Sequence, residues 1–467
     1  MLSSDTPTAA RANMLMACAI ALGFLALYLS SLGSVPFHPD ESTQIYMSRD
    51  FDVAVLERNP AALAWTAGQP LTPEMRLRLL DAPMTKYLIG IGRWLRGFTP
   101  ADSNVDWVWG ATWDENRAAI PANSLLLAAR LPTAVLGALV AVLAFGIGAQ
   151  LGGAWLGVLA ALLVGLDPLL LLHSRRAMAE SALTFFSALA ALGTLALVVH
   201  GDSLKRLSVR TLALGALAGV LAGLAMDSKQ TELVMLPVAL GASALSMLQR
   251  PWTRSRRLAS LCAVWLAIGL GWALGVWLLN PVLYREPVGA VQAMLALRAN
   301  LAREQIAVNG ASDAQMVLKS VPSRLGAAVS QLYFQPAAAW DVPVYLEQLR
   351  PPADAYFANP INSLLRIPPL NLALAALSVV GIAGSGLRLF RCRLDPSTRA
   401  EQVLWLWSLL TLVLLALTIP LNWQRYFMPL LAPSRLFASL GLLTLARLAT
   451  RSTHILPSLR TRYQRVP

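Results

Sequence analysis

The sequence predicts an all-α polytopic membrane protein, and three observations carry that reading. Its 467 residues are 56% apolar and only 13% charged, against roughly 45–50% and about 25% in soluble domains. Ten apolar runs approach or exceed the roughly 17–25 residues that a bilayer crossing requires. The excess basic residues crowd into alternate connections, the pattern that marks a cytoplasmic face. With a mean hydropathy of +0.56, too little polar surface is left to coat a soluble globule.

The runs stand at 14–32, 124–149, 154–172, 181–199, 211–226, 232–248, 259–280, 366–386, 402–420 and 426–446. About ten transmembrane helices follow, with room for one or two more (11–12 in all) inside the long connections. Met1 to Arg11 has neither the basic stretch nor the small-residue cleavage site of a signal peptide, so 14–32 reads as a retained span. Cys18 and Cys262 fall inside apolar runs and Cys392 in a basic loop. Neither a disulfide framework nor a cysteine metal site is indicated.

An even span count puts both termini on one side. The segments 1–13, 200–210, 249–258, 386–400 and 447–467 hold 17 Lys and Arg, with Asp5, Asp202, Asp395 and the neighbouring Glu401 as their acids. The net charge of +13 is therefore concentrated in these loops, and the rest of the chain balances. A basic protein of this kind has a positive-inside signature and not a nucleic-acid patch. Both termini are expected in the cytoplasm, with 447–467 as a basic tail.

Two connections, 33–123 and 281–365, fall on the outer side and are too long to be simple links, and such loops tend to carry function. The first holds amphipathic stretches at 40–51 and 83–95, read as interfacial helices, and the aromatic residues Trp107, Trp109 and Trp113, which suit the headgroup level. The second has helical pattern at 288–305 and 313–333. No internal repeat or low-complexity tract is present.

Ionisable residues at membrane depth are functional candidates. On the outer side these are His38, Asp40 and Glu41; Asp167, His173, Arg175, Arg176 and Glu180; Asp227, Lys229 and Glu232; and Arg425. Asp40 or Glu41 would serve as a general base toward an acceptor hydroxyl. After Pro39, Asp40 would equally cap a following helix. Lys229, Arg425 and Arg175 have the charge and position to hold a lipid-linked phosphate, although basic residues at span ends also snorkel to headgroups. No cofactor is firmly indicated. For a divalent cation, His38, Asp40, Glu41 and His173 are the side chains to consider, and no close spacing unites them. No Walker, zincin or Rossmann motif occurs.

Six motifs then follow in order: Asp40-Glu41, Asp81-Ala82-Pro83-Met84-Thr85-Lys86-Tyr87, Ala129-Arg130-Leu131-Pro132, Leu166-Asp167-Pro168 with His173-Ser174-Arg175 and Glu180, Ser228-Lys229, and Arg425-Tyr426-Phe427-Met428-Pro429-Leu430. Together they resemble the GT-C membrane glycosyltransferases of the dolichyl-phosphate-mannose protein mannosyltransferase type, whose bacterial branch includes the aminoarabinose lipid A transferases. The resemblance spans about 14–446. It implies a GT-C domain over 1–446 and inverting transfer from a polyprenyl-phosphate sugar to an acceptor protein, lipid or glycan. Asp40 would be the catalytic carboxylate with Glu41 beside it. Lys229 and Arg425 would hold the donor phosphate, with Arg175 assisting, and His38, Lys86, His173, Glu180 and Tyr426 would line the substrate pocket. Glu180 departs from the Asp common in relatives.

The location expected is the plasma (inner) membrane, with the active site on the outer, periplasmic side and membrane lipids as neighbours. The alternative is a transporter or flippase for a lipid-linked or anionic substrate, but neither an inverted repeat nor paired broken helices support it.

Overall fold

The computed structural model describes residues 7–200, 207–250, 252–341, 344–392 and 395–463. Among them the chain is helical, and its one extended pairing is an isolated antiparallel bridge between Val317 and Leu421. Of the expected inner-face charges, Asp5, Asp202, Lys205, Arg206, Arg393 and Arg465 lie outside the described residues.

Nine helices among the described residues are long and apolar enough to cross a membrane, and a bent pair would make ten. The long helices are α1 (Pro7–Leu29), α5 (Asn123–Gly152), α8 (Ala179–His200), α9 (Val209–Ser228), α10 (Met235–Leu248), α11 (Arg254–Leu279), α15 (Pro368–Cys392), α16 (Arg399–Thr418) and α17 (Leu431–Tyr463). Short 3-10 turns, Gln230–Val234 and Gln424–Leu430, lead into α10 and α17.

The run expected as one span at 154–172 is instead two helices, α6 (Ala154–Gly165) and α7 (Pro168–Ser174), bent by 62°. Pro168 cannot donate a helical hydrogen bond back toward α6. Asp167 restarts the helix by accepting from the Leu169 amide at 2.9 Å. Its other oxygen receives Arg435 from α17, Nε at 2.9 Å and Nη2 at 2.6 Å. The break is therefore held by a fully buried ion pair.

Small residues bring the spans together, since packing inside a bilayer depends on close backbone approach. A Cβ added to Gly219 of α9 would stand 2.1 Å from the Ile268 carbonyl oxygen of α11, and one on Gly271 equally close to that of Ala216. Only glycine fits this crossing.

The two long connections fold over one end of the bundle and onto each other. The first carries α2 (Pro39–Met47), α3 (Pro73–Leu80) and α4 (Met84–Leu95). The second carries α12 (Pro287–Ser312), α13 (Val321–Val329) and α14 (Leu346–Phe357). Although α12 has the length of a span, Arg298, Arg303 and Glu304 mark it as polar, and Arg298 bonds the Leu80 carbonyl of α3. Trp107 and Trp113 pack on Tyr345 of the second connection at 5.4 and 5.7 Å between ring centres. The tyrosine hydroxyl donates to the Ala111 carbonyl at 2.7 Å. The tryptophans thus join the two loops; Trp107 is buried, while Trp109 stays exposed.

Candidate active site

The start of α2 sets the site. Pro39 occupies the first helical position, and the His38 Nδ1 accepts the Asp40 amide at 3.1 Å. Glu41 reaches back to accept the His38 amide at 3.0 Å. Capping therefore falls to His38 and Glu41, not to Asp40 as the sequence suggested. In a capping box the third residue's carboxylate turns back while the second projects outward. Because His38 Nδ1 is an acceptor, its proton sits on Nε2, which faces Asp341 Oδ2 at 3.6 Å.

Glu41 and Asp40, adjacent in sequence, meet different partners. Glu41 is fully buried and receives Arg130 of α5 through two parallel bonds of 2.7 Å, plus the Ala177 amide at 2.8 Å. Arg130 also ties down the Leu32 and Val35 carbonyls at 3.0 and 2.9 Å. Burial raises the cost of charging Glu41, but Arg130 outweighs it and holds the carboxyl below its ordinary range. Asp40 is 27% exposed, and its carboxylate pairs with Arg425 Nη1.

Arg425 lies on the turn leading into α17 and bridges two acids from the two long connections. Its Nη1 pairs with Asp40, and its Nε lies 2.8 Å from Asp341 Oδ2. Asp341 is 4% exposed. Burial penalises its charge, but Arg425 and then His38 hold the carboxyl well below the usual carboxylate range. Asp341 was not singled out from the sequence: it stands alone in a Pro-interrupted aromatic stretch, with no second charge to flag it.

Lys229 is brought to Glu180, the first-turn carboxylate of α8, at 3.2 Å, and its Nζ lies 5.5 Å from the Tyr426 ring centre. His173 is buried beside them, with neither ring nitrogen hydrogen-bonded, and lies within electrostatic reach of Glu180, Asp341 and Arg425. Thus His38, Asp40, His173, Glu180, Lys229, Arg425 and Tyr426, dispersed over almost 400 residues, gather at one end of the bundle.

Two expected residues take other places. Arg175 is fully buried. It donates to the Leu171 carbonyl at 2.7 Å, Tyr356 Oη at 2.6 Å, Asn362 Oδ1 at 2.7 Å and Ser31 Oγ. Lys86, on α4, is buried 3.9 Å from Asp50, just past the end of α2, and donates to the Asp81 carbonyl at 3.4 Å. Burial lowers its pKa despite the nearby Asp50 and Asp81.

The donor set does not suit a metal ion as it stands. His38 Nδ1 is bound to a backbone amide, and Asp40 and Asp341 both face Arg425. Among the described residues no three His, Cys, Asp or Glu side chains converge as metal ligands.

Residues 76–279 match the family model of dolichyl-phosphate-mannose-protein mannosyltransferase. The match covers less than half of the chain. That matched segment carries Arg130, Glu180 and Lys229, while Asp40, Asp341 and Arg425 reach the same cluster from either side of it. A search of curated proteins gives no match. The chain is similar to the archaeal oligosaccharyltransferase AglB from Archaeoglobus fulgidus, solved with an inhibitory peptide and a dolichol-phosphate. Identity is 15%, 96% of this chain and 52% of that one are covered, and the TM-score is 0.49. It is also similar to the S. cerevisiae protein O-mannosyltransferase Pmt1-Pmt2 complex bound to the sugar donor. There identity is 16%, coverage 62% and 35%, and the TM-score 0.43. The chain spans about half the length of the first and about a third of the second.

Proposed function

We propose that this chain is an inverting glycosyltransferase, moving a sugar from a polyprenyl-phosphate donor to an acceptor hydroxyl or phosphate at the outer membrane face. The observation that carries the reading is Arg425 between Asp40 and Asp341, beside Lys229 on Glu180. One group of side chains thus offers a partly exposed carboxylate next to two cations. That is what a sugar transfer from a lipid phosphate needs: a base for the acceptor and positive charge for the leaving group.

In the reaction Asp40 takes the acceptor proton while the acceptor oxygen bonds the anomeric carbon. The bond from that carbon to the phosphate oxygen breaks on the opposite face, which inverts the configuration. Polyprenyl phosphate leaves with one additional negative charge. Arg425 and Lys229 are placed to meet it, so they stabilise the transition state more than the bound donor. Glu41 keeps α2 in place through Arg130 and stands outside the proton transfer, and Arg175 anchors the outer loop to α7. The transfer unit comprises 1–446, with 447–467 as a basic cytoplasmic tail.

The test is turnover by purified protein in nanodiscs with a panel of polyprenyl-phosphate hexoses and pentoses, following lipid phosphate release and the anomeric configuration of the product. Acceptor-dependent release with inversion is expected. Movement of intact donor between leaflets without bond cleavage would instead establish a flippase.

A further inference from the structure

Asp40 cannot act as a base while its carboxylate is paired to Arg425. The two acids on this guanidinium differ in burial. Asp341 is 4% exposed and also faces the Nε2–H of His38. Asp40 is 27% exposed, and beyond Arg425 its nearest cationic or titratable neighbour is His38 Nδ1 at 3.9 Å, a nitrogen already accepting a backbone amide. The contacts also use different edges of the guanidinium: Nη1 donates a hydrogen bond to Asp40, whereas Nε meets Asp341 as an ion pair at 2.8 Å without hydrogen-bond alignment. An incoming anion can therefore replace one acid without disturbing the other.

We propose that Asp341 is a positioning residue: its buried charge, ion-paired beside Nε, keeps Arg425 in place while the donor phosphate displaces Asp40 from the Nη edge and so releases the base. The inference rests on the glycosyltransferase reading above. Asp40 serves as a stand-in anion before the donor arrives and becomes basic only once a donor is in place. The acceptor proton is then taken only when there is a sugar to transfer. Planar, bidentate phosphate binding is a natural use of the Nη pair of an arginine whose Nε edge already faces a buried carboxylate.

Competition of this kind has a consequence that a structural role does not share. If Arg425 is free of Asp40 in only about a tenth of molecules, removing Asp40 should tighten phosphate binding about tenfold. The probe is farnesyl monophosphate, titrated into purified protein in nanodiscs with no sugar or acceptor present, so that turnover plays no part. Asp40→Asn and Asp40→Ala are both expected to bind it about tenfold more tightly than wild type. Asp341→Asn is expected to show no such gain, and Asp341→Glu to bind like wild type.

Equal tightening in Asp40→Asn and Asp341→Asn would mean that both acids act only through their charge, and would overturn the proposal. Unchanged or weaker binding by both Asp40 variants would overturn it too, with the donor reading intact. Failure of the wild type to bind farnesyl monophosphate would remove the donor site itself, and the proposal with it.

Discussion

Arg130 meets Glu41 as a parallel pair, Nε to Oε1 and Nη2 to Oε2, both at 2.7 Å and both side chains buried. Removing one partner of a buried pair leaves an uncompensated charge and costs about 3–5 kcal/mol. Arg130→Met and Glu41→Gln are therefore each expected to lower the melting temperature in detergent. Because the Glu41 carboxyl is held below its unfolded range, its stabilisation is complete above roughly pH 4.3 and is lost as pH falls through the folded value. The melting difference between wild type and Glu41→Gln should shrink in acid; a difference that grew there would show that Glu41 is buried uncharged.

Asp40→Asn retains the shape of the side chain and removes its basicity. As the cap of α2 is made by His38 and Glu41, folding should be unaffected. Turnover is expected to fall by roughly 10² to 10⁴. Near-normal rates in a folded Asp40→Asn protein would assign the proton transfer to another group.

The two cations make a different prediction. Arg425→Lys retains charge but loses the fork that grips two phosphate oxygens, and Lys229→Met removes the charge facing Glu180. Both should lower kcat by more than they raise the donor KM, measured at saturating acceptor. Arg391→Met, at the far end of α15, should change neither. Losses confined to donor KM would make the outer cations headgroup anchors.

Arg175 is surrounded by protein: Tyr356, Asn362, Ser31 and the Leu171 carbonyl receive its donors. Arg175→Met should therefore lower thermal stability and leave farnesyl monophosphate affinity within about twofold of wild type, since four of the five guanidinium N–H donors are already taken by protein groups. A selective loss of phosphate affinity in a protein of normal stability would place Arg175 in the donor site.

Orientation can be read from labelling. With Cys18, Cys262 and Cys392 replaced, a cysteine at the exposed Ala118 should react with an impermeant thiol reagent in intact cells, and one at the exposed Ser397 should not. The reverse pattern would place the site on the cytoplasmic side.

The sequence by itself determined the helical membrane architecture and all but one of the side chains that gather at the site. Both follow from solvation: apolar runs of spanning length admit few other structures, and charges at span ends are too costly to be incidental. Tertiary structure decided which charges face one another. Asp40 and Glu41 read alike as a pair, yet the capping box turns one back onto Arg130 and leaves the other for Arg425, 385 residues away. Arg175 looks like a phosphate ligand until Tyr356 and Asn362 enclose it. Asp341 has no local signal, because its partners come from α2 and the turn before α17. Whether a charge is a structural tie or a site depends on which groups desolvate and pair with it, and those groups lie too far along the chain for local sequence to specify.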